Sequence, residues 1–414
     1  MSVRMPAPVA GIEWRARFRT SGMRCRIRPA GPWGAVETED SAGELAATVK
    51  PMTPSDSNPA ARPSTVGPGP GPGRTTSVLV RAPHDLQVVR TDVPDPGPGE
   101  ALVEVVAAGI CGSDVELLDG TRPAAYVSYP VIPGHEWSGR VVRLGPAEDG
   151  ADPVRVGDPV VAQGIRNCGW CARCREGATN LCSTGYAETG FTHPGAFSGY
   201  VLVPARLLYR LDRTVDLTAA ALLEPSACVA EALLAASPLV GARTAVVGTG
   251  TLSLVAVQLL ARAGAREVTV IGDSPSGREL AASWGATGFV GSEEAASPGW
   301  SCEADYVFEA AGRPTSARYA LAAARRGGTV VLEGIPGDRA DGDLTEVVLK
   351  HLDVRGVFGA SAAAWEHVVA LYNAGLLELE PLVSHTFGLR EVDAAFELLR
   401  ARTGGVRKVL LRPE

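Results

Sequence analysis

The stretch "RTAVVGTGTLSLVAVQLLARAGAREVTVIGD", residues 243–273, decides the fold. Gly248, Gly250 and Ser253 stand directly after a predicted strand and at the start of a predicted helix. The first glycine permits a tight turn, and the second lets backbone amides approach a pyrophosphate at the helix N-terminus. Ser253 replaces the glycine or alanine that is usual at the third position, yet it still allows close packing of helix and strand. The spacing is weak evidence by itself, but in this context it predicts a dinucleotide-binding turn.

Strands and helices alternate on the C-terminal side of this turn. The segments "REVTVIG", "GRELAASWGA", "ADYVFEA", "SARYALAAARRG" and "GTVVLEG" are predicted in turn as strand, helix, strand, helix and strand. Such alternation is typical of βαβ units in a parallel, doubly wound sheet. From residue 76 to residue 211, short β-rich runs are broken by Pro and Gly. We therefore predict an α/β protein with a nucleotide-binding domain and a second, β-rich domain.

The residue that follows the second strand of the nucleotide domain should select the cofactor. The sequence "VTVIGDSPSGRE" offers Gly272 or Asp273 there, depending on the register. An acid accepts hydrogen bonds from the ribose hydroxyls and repels a 2′-phosphate, which favours NAD. Gly272 at that position, with Ser274 and Arg278 nearby, would admit NADP. We expect NAD, with NADP as the alternative, and predict Asp273 and Arg278 as cofactor-binding residues.

Charge and composition exclude several classes of function. The chain has 414 residues, a net charge of -7 and no apolar run long enough for a membrane span, so neither nucleic acid nor a membrane is an expected partner. Residues 1–75 are rich in Arg, then in Pro, Gly, Ser and Thr, and we predict that they are disordered. They are either a targeting arm or the product of an over-called start, with translation beginning at Met52 or later, and we favour the second explanation.

Four of the eight cysteines form one cluster. Cys168, Cys171, Cys174 and Cys182 have the spacing C-x2-C-x2-C-x7-C, which lets four thiolates turn onto one ion. Four thiolates fill the tetrahedral coordination of zinc and leave no position for water, so this zinc would be structural. A disulfide framework is disfavoured in so long a chain, and an iron–sulfur cluster is a minor alternative.

A second, dispersed set of residues predicts an open metal site. Cys111 lies in "GICGSD", His135 and Glu136 lie in "PGHEWSG", and Glu224 lies in "LLEPSACV". One thiolate, one imidazole and one carboxylate leave a position on zinc for an alcohol oxygen, whose pKa the ion would lower so that an alkoxide can expel hydride. A lone cysteine is usually a small hydrophobic residue. The prediction depends on the co-occurrence of this set with the cysteine cluster and the dinucleotide turn.

Residues 76–414 resemble the zinc-dependent medium-chain dehydrogenases/reductases, in the branch that contains sorbitol and threonine dehydrogenases. The resemblance is carried by "GICGSDVELLDG", "YPVIPGHEWSGRVVRLG", the four-cysteine cluster, "LLEPSACV", "VVGTGTLS" and "PLVSHTFGLREVDAAFELL". It implies a GroES-like catalytic domain in two parts, residues 76–227 and 361–414. Between these parts it implies a Rossmann domain that binds NAD(P), residues 228–360.

The resemblance also implies roles for the site residues. Catalytic zinc would be held by Cys111 and His135, with Glu136 as third ligand and Glu224 bound directly or through water. Ser113 occupies the hydroxyl position that takes the substrate proton. Where many relatives carry a relay histidine, this chain has Glu116, so the relay runs through ribose and water or through this carboxylate. We favour Glu116 as a surface acid.

The function predicted from the sequence is a zinc-dependent NAD(P) oxidoreductase. It would transfer hydride between a secondary alcohol of polyol or amino-polyol type and the nicotinamide, and "PGHEWSG" is similar to dehydrogenases that oxidise aminocyclitols. The alternatives are a threonine-like amino-alcohol dehydrogenase or a non-catalytic nucleotide-binding protein on the same fold. The second is disfavoured because Cys111 and His135 are both present. We expect a cytoplasmic homodimer or homotetramer that acts on a small-molecule alcohol or ketone.

Overall fold

The computed structural model describes residues 73–147, 154–237, 240–336, 342–401 and 405–413. The prediction of disorder for residues 1–75 therefore lies almost entirely outside the described residues. None of the helices in those five ranges combines the length and apolar character that a bilayer crossing needs.

The β-rich first part precedes the nucleotide domain. Its elements, in chain order, are β1 (Arg74–Ala82), β2 (Asp85–Asp92), β3 (Glu100–Ile110), α1 (Gly112–Asp119), β4 (Glu136–Leu144), β5 (Pro159–Ala162), α2 (Ala172–Arg175), β6 (Tyr200–Pro204), β7 (Leu208–Arg210), α3 (Leu217–Ala220) and α4 (Leu223–Ala236).

Alternating strands and helices follow. They are β8 (Arg243–Val247), α5 (Thr251–Arg262), β9 (Glu267–Ile271), α6 (Pro275–Ser283), β10 (Gly288–Val290), α7 (Ser292–Ala295), β11 (Ala304–Glu309), α8 (Ser316–Ala323), β12 (Ala324–Leu332), α9 (Leu344–Lys350) and β13 (Asp353–Gly356). The chain then forms α10 (Ala362–Asn373), β14 (Val383–Gly388), α11 (Val392–Ala401) and β15 (Lys408–Arg412).

Six strands form a parallel sheet in the order β10-β9-β8-β11-β12-β13. Of these six strands, β8 comes first in the chain, yet it lies inside the sheet between β9 and β11. The strand order therefore reverses between β8 and β11. Every residue of helix α5 from Ser253 to Leu260 is buried beside this sheet. This burial on all sides explains why most residues of the helix are apolar. The predicted α/β class with a doubly wound parallel sheet is confirmed.

A mixed sheet joins the two ends of the described chain. Its order is β14-β15-β3-β4-β5-β7, and β6 also pairs with β3. β15 runs antiparallel to β3, with Val409 opposite Ile110. The C-terminal segment thus returns to the sheet of the first part. The predicted domain boundaries stay predictions. Helix α4 runs continuously across the boundary that is placed between residues 227 and 228.

The structure differs from the sequence prediction at one helix end. The helix expected over residues 316–327 ends at Ala323, and β12 begins at Ala324, which pairs with Ala304 of β11. Pairing in the sheet overrides the helix propensity of the run "AAARR". The short elements β10, α7, α9 and β13 were not predicted.

Candidate active site

One cavity of about 190 Å³ contains the five residues predicted to be catalytic. It lies where the ends of β3 and β4 meet the first turns of α4 and α5, and Thr251 and Leu252 of α5 line it. The dinucleotide turn and the predicted zinc site therefore share one space. The predicted residues in its wall are Cys111, Ser113, His135, Glu136 and Glu224.

Cys111 and His135 are both organised by the buried carboxylate of Asp114. Cys111 follows β3 as the N-cap of α1, and its backbone N–H donates to Oδ2 of Asp114 at 2.8 Å. Oδ1 of Asp114 lies 3.6 Å from Nδ1 of His135. Burial lowers the pKa of His135, but the charge of Asp114, with smaller contributions from Cys111 and Glu224, outweighs burial and raises that pKa well above its usual value.

Glu136, the first residue of β4, turns its side chain across β3. It lies opposite Gly109, and a Cβ on Gly109 would come within 2.3 Å of Oε2 of Glu136. Only glycine leaves room for this carboxylate. Both Glu136 oxygens accept hydrogen bonds from Nζ of Lys408, at 2.8 and 2.6 Å.

These donors fit a zinc ion. One ligand atom each from Cys111, His135 and Glu136 lies within 4.8 Å of the others. Nδ1 of His135 and Oδ1 of Asp114 are buried without a hydrogen-bond partner among the described residues, as expected of a histidine poised between a metal and an orienting carboxylate. Catalytic zinc typically has three protein ligands drawn from sulfur, nitrogen and oxygen atoms, and its fourth coordination position is left to water or substrate.

Glu224 stands in the same cavity but not in that three-residue set. It lies in the first turn of α4, where Sγ of Cys228 is 3.7 Å from its Oε1. Burial raises the pKa of Glu224 to about 7, since the attraction of His135 offsets burial only in part.

Cys168, Cys171, Cys174 and Cys182 come together as the spacing predicts, around the short helix α2. Their sulfur atoms lie within 4.8 Å of one another, and all four are free thiols. The segment between them contacts the far wall of the cavity. Nδ2 of Asn180 donates to the carbonyl oxygen of Phe358 at 3.1 Å, and the N–H of Ala362 donates to Oγ1 of Thr179 at 2.9 Å.

The dinucleotide turn has the expected shape. Gly248 has φ 119°, which favours glycine, and a Cβ there would lie 2.5 Å from Oγ of Ser253 and 3.3 Å from Ala311 after β11. Gly250 is the N-cap of α5 and leaves the first amides of that helix without a side-chain cap. The turn therefore borders the point where the strand order reverses, the position at which doubly wound sheets bind dinucleotides.

A second cavity, of about 280 Å³, lies at the end of β9. The strand ends at Ile271, so Gly272 is the first residue after it. Asp273 turns to α7, where its Oδ1 accepts the N–H of Ser292 at 2.8 Å and its Oδ2 accepts the Ser292 hydroxyl at 2.5 Å. These hydrogen bonds lower the pKa of Asp273. Arg278 lines the cavity, with its guanidinium 5.1 Å above the ring of Phe289.

Sequence reasoning missed five residues of the first cavity. They come from segments far apart in the chain: Arg122, Glu188, Glu333, Phe358 and Lys408. Arg122 stacks 3.7 Å above Phe191 and lies 3.8 Å from Glu188, which burial gives a raised pKa. A lone Lys at the start of the buried strand "KVLL" was the one detectable signal. Glu116, by contrast, does not line the cavity and lies 4.0 Å from Arg122, with its side chain 33% exposed.

Two family models match the chain. Residues 97–213 match the alcohol dehydrogenase GroES-like domain, and residues 251–374 match the zinc-binding dehydrogenase domain. The L-threonine 3-dehydrogenase of Bacillus subtilis strain 168 is 34% identical over 348 residues, which is 81% of this chain and 98% of that protein. The chain belongs to the zinc-dependent alcohol dehydrogenase family of medium-chain dehydrogenases/reductases.

Solved structures agree with this assignment. A thermostable alcohol dehydrogenase from Pyrobaculum aerophilum superposes with a TM-score of 0.73 at 30% identity and covers 82% of this chain and 100% of its own. A zinc-binding dehydrogenase from Sinorhizobium meliloti 1021, solved with NADP, gives 0.73 at 29% identity, with 82% and 99% covered. The predicted family, the GroES-like and Rossmann folds, and a zinc-dependent oxidoreductase acting on CH–OH groups are confirmed.

Proposed function

We propose that this enzyme oxidises a secondary alcohol of amino-polyol type, or reduces the matching ketone, with a nicotinamide dinucleotide. The observation that carries the proposal is the convergence of Cys111, His135 and Glu136 in a cavity that α5 of the dinucleotide turn also lines. Hydride transfer needs the alcohol carbon and the nicotinamide in one water-poor space, and this cavity adjoins the elements proposed to bind each of them.

We assign each residue of the site a separate role in the reaction. Zinc, when bound by Cys111 and His135 with a glutamate, acts as a Lewis acid on the alcohol oxygen. Asp114 keeps the imidazole of His135 oriented, and the hydroxyl of Ser113 accepts the proton that the alcohol loses. Phe191, Phe358 and Ile165 form apolar walls that exclude water from the reacting carbon.

The charges of the cavity favour a cationic substrate. Glu188, Glu224 and Glu333 line it, while its two cations already have partners: Arg122 pairs with Glu188 and Lys408 with Glu136. Oε2 of Glu333 is buried without a hydrogen-bond partner among the described residues. A protonated amine would supply the missing charge. The carboxylate of a free amino acid would need a cation of its own, and Arg122 and Lys408 are already paired, so an amino-polyol fits better than the threonine named for the bacterial relatives.

A matched substrate series tests the proposal. Zinc-replete protein is incubated with an aminocyclitol, the same cyclitol without its amino group, and L-threonine, and nicotinamide reduction is followed by absorbance. We expect turnover in that order of kcat/KM and none by Cys111→Ser. Preference for L-threonine would support the amino-acid alternative, and no turnover by metal-loaded protein would contradict the proposed activity.

We also propose that NADP is the better cofactor. The expectation of NAD depended on Asp273 reaching the ribose, but both oxygens of this carboxylate are engaged by Ser292. Gly272 occupies the position directly after β9, where a Cβ would lie 2.8 Å from Cγ2 of Thr249. The cavity at this position presents Ser274 at the N-cap of α6 and the guanidinium of Arg278. Those groups suit a 2′-phosphate. Among similar solved structures, the Sinorhizobium relative was solved with NADP and an alcohol dehydrogenase from E. coli CFT073 with NADH, so NAD stays the alternative.

Calorimetry with fragments separates cofactor choice from turnover. We expect 2′,5′-ADP to bind at least about tenfold more tightly than 5′-AMP, because a charge-assisted contact contributes roughly 1.5–3 kcal/mol. Equal affinity for both fragments would contradict the NADP preference and leave the proposed reaction intact.

We also propose that the protein assembles as a homodimer or homotetramer in the cytoplasm. The edge strand β13 is exposed along its whole length, and Leu344 and Val348 of the adjacent α9 are 75% exposed, so this edge is a suitable contact for a homodimer or homotetramer. Four free thiols within 4.8 Å suit the reducing cytoplasm. Light scattering of the purified protein tests the assembly, for which a monomer is the contrary result.

A further inference from the structure

Arg122 and Glu188 form a buried ion pair in the wall of the active-site cavity. Nη2 of Arg122 lies 3.8 Å from Oε2 of Glu188, and the two side chains are 6% and 9% exposed. Both residues line the cavity that also contains Ser113 and the proposed zinc ligands. Because the opposite charges largely cancel at a distance, the pair favours neither a cationic nor an anionic group of a ligand. It can still exchange hydrogen bonds with neutral groups.

Phe191 places this pair close to the proposed zinc site. The guanidinium of Arg122 lies 3.7 Å above the ring of Phe191, and that ring lies 4.7 Å from the imidazole of His135. Gly190 has φ 91°, and a Cβ there would lie 2.9 Å from the backbone nitrogen of His135, so the loop that carries Glu188 packs closely on the His135 segment. A six-membered ring whose oxygen binds the zinc can therefore present its far hydroxyls to the pair.

The guanidinium of Arg122 keeps hydrogen-bond donors that the protein does not use. Of the five N–H groups of an arginine, one on Nε donates to the carbonyl oxygen of Tyr126 at 3.1 Å, and one on Nη2 donates to the hydroxyl of Tyr186 at 2.9 Å. The carboxylates of Glu116 and Glu188 lie 4.0 and 3.8 Å away, beyond hydrogen-bonding distance. Because Arg122 lines the cavity, its remaining donors are available to a ligand there.

The carboxylate of Glu188 likewise keeps an unused acceptor. Its Oε2 accepts the hydroxyl of Tyr186, and its backbone N–H donates to Oγ1 of Thr192 at 2.8 Å, which fixes the residue at both ends. Within the described part of the chain no donor reaches Oε1, and this oxygen is not sealed off from solvent. The pair thus offers a ligand a donor and an acceptor side by side.

We propose that Arg122 and Glu188 recognise two neighbouring hydroxyl groups of the substrate, on ring carbons away from the carbon that reacts. One hydroxyl accepts a hydrogen bond from the guanidinium, and the next donates to Oε1 of Glu188. The 3.8 Å separation of the two side chains suits adjacent hydroxyls better than hydroxyls further round a ring. This inference rests on the proposed function and narrows its substrate class to amino-polyols with a vicinal diol. L-Threonine cannot make the contact, because its one hydroxyl is the group that is oxidised.

A series of deoxy substrates tests the proposal without any protein variant. Wild-type enzyme is given the all-equatorial six-carbon aminocyclitol and the analogues that each lack one hydroxyl, and kcat/KM is measured for each compound. We expect kcat/KM to fall about 10- to 100-fold at two adjacent positions away from the reacting carbon, because each of those analogues leaves a buried polar group unpaired. Equal values across the series, or losses confined to positions that are not adjacent, would overturn the proposal. No turnover of any compound would contradict the proposed function, and this inference with it.

Glu188→Gln assigns one hydroxyl of the diol to this side chain. The amide keeps the shape of the carboxylate but replaces an acceptor oxygen by an N–H donor. The variant should remove most of the preference for the parent aminocyclitol over one deoxy analogue, the one that lacks the hydroxyl bound by Oε1, and should keep the other preferences.

Glu116→Gln is the matched control, because Glu116 also faces Arg122 but does not line the cavity. It should change none of these preferences. An equal loss of kcat/KM for the parent and every analogue in Glu188→Gln would show a structural role for this carboxylate and would overturn the diol assignment. If Glu188→Gln does not fold, the deoxy series with wild-type enzyme still decides.

Discussion

Asp114 faces His135 with one carboxylate oxygen and the backbone of Cys111 with the other. Oδ1 is 3.6 Å from Nδ1 of His135, and Oδ2 accepts the Cys111 N–H at 2.8 Å. Asp114 is fully buried, so its charge is screened little by solvent. A single carboxylate at the start of α1 thus orients both the imidazole and the thiolate proposed to bind the catalytic zinc.

Asp114→Asn should weaken metal binding without displacing a ligand. The amide keeps the shape of the side chain but removes the charge that fixes the imidazole, and outer contacts of this kind change metal affinity by about 10- to 100-fold. Chelator competition on the zinc-loaded protein measures the change. Asp119→Asn is the matched control, since Asp119 ends the same helix in an exposed pair with Arg400. Equal zinc affinity in wild type and Asp114→Asn would mean that this carboxylate does not support the site.

The four-cysteine cluster should support the cavity wall at a distance. Asn180 and Thr179, between Cys174 and Cys182, hydrogen-bond to Phe358 and Ala362. Cys174→Ser should therefore remove one metal per chain and lower Tm, and it should raise KM more than it lowers kcat, because Phe358 loses its support and Cys111 does not.

Cys302→Ser is the control for this prediction. Cys302 is a half-buried lone thiol whose Sγ lies 3.5 Å from the carbonyl oxygen of Ala323, and it belongs to neither of the two predicted metal sites. Metal analysis, thermal unfolding and steady-state kinetics are compared for both variants. An equal fall in kcat and kcat/KM for Cys174→Ser would show instead that the cluster acts on the chemical step.

Local motifs made the nucleotide domain and the four-cysteine cluster predictable. The turn at Gly248 has a fixed order of strand, glycines and helix, and the spacing of Cys168 to Cys182 already limits what the thiolates can bind. These features depend on neighbours in the chain. Their geometry therefore follows from the sequence with little need of the remaining fold.

The missed residues depend on sheet register and long-range pairing instead. Lys408 reaches Glu136 only because β15 pairs with β3, and Glu333 reaches the cavity only because β12 ends there. The sequence left open whether Gly272 or Asp273 follows β9 and faces the ribose of the cofactor. The reason is similar, since a shift of one residue in the end of β9 exchanges their positions. Ser292, which engages Asp273, lies 19 residues further on and carries no motif.

Arg278→Ala should lower the preference for NADP. The guanidinium stacks on Phe289 beside Ser274 and is the cation available to a 2′-phosphate in the cavity at the end of β9. We expect kcat/KM for NADP to fall about 10- to 100-fold, the range of a lost charge-assisted contact, with little change for NAD.

The control for Arg278→Ala is Arg262→Ala, a half-exposed arginine at the end of α5 that lies 4.0 Å from Glu378. Kinetics with both cofactors at a fixed alcohol concentration give the ratio. Parallel losses with NAD and NADP would show that Arg278 supports the fold of the pocket and does not select the phosphate.

Glu333→Gln should reduce recognition of the amino group and spare the alcohol. Burial raises the pKa of Glu333 well above its usual range, and repulsion from Glu224 and Glu309 adds to the shift, so an unpartnered carboxylate here favours a proton or a bound cation. The neutral amide keeps the volume of the side chain and cannot attract an ammonium group. KM for the aminocyclitol should rise about 10- to 100-fold, while KM for the cyclitol without the amine should stay near its wild-type value, because no charge is recognised there.

Glu346→Gln on the exposed helix α9 is the control and should change neither Michaelis constant. An equal loss of affinity for both substrates in Glu333→Gln would mean that this carboxylate shapes the cavity and does not recognise the ammonium group. The assignment of an amino-polyol substrate would then lose its main support.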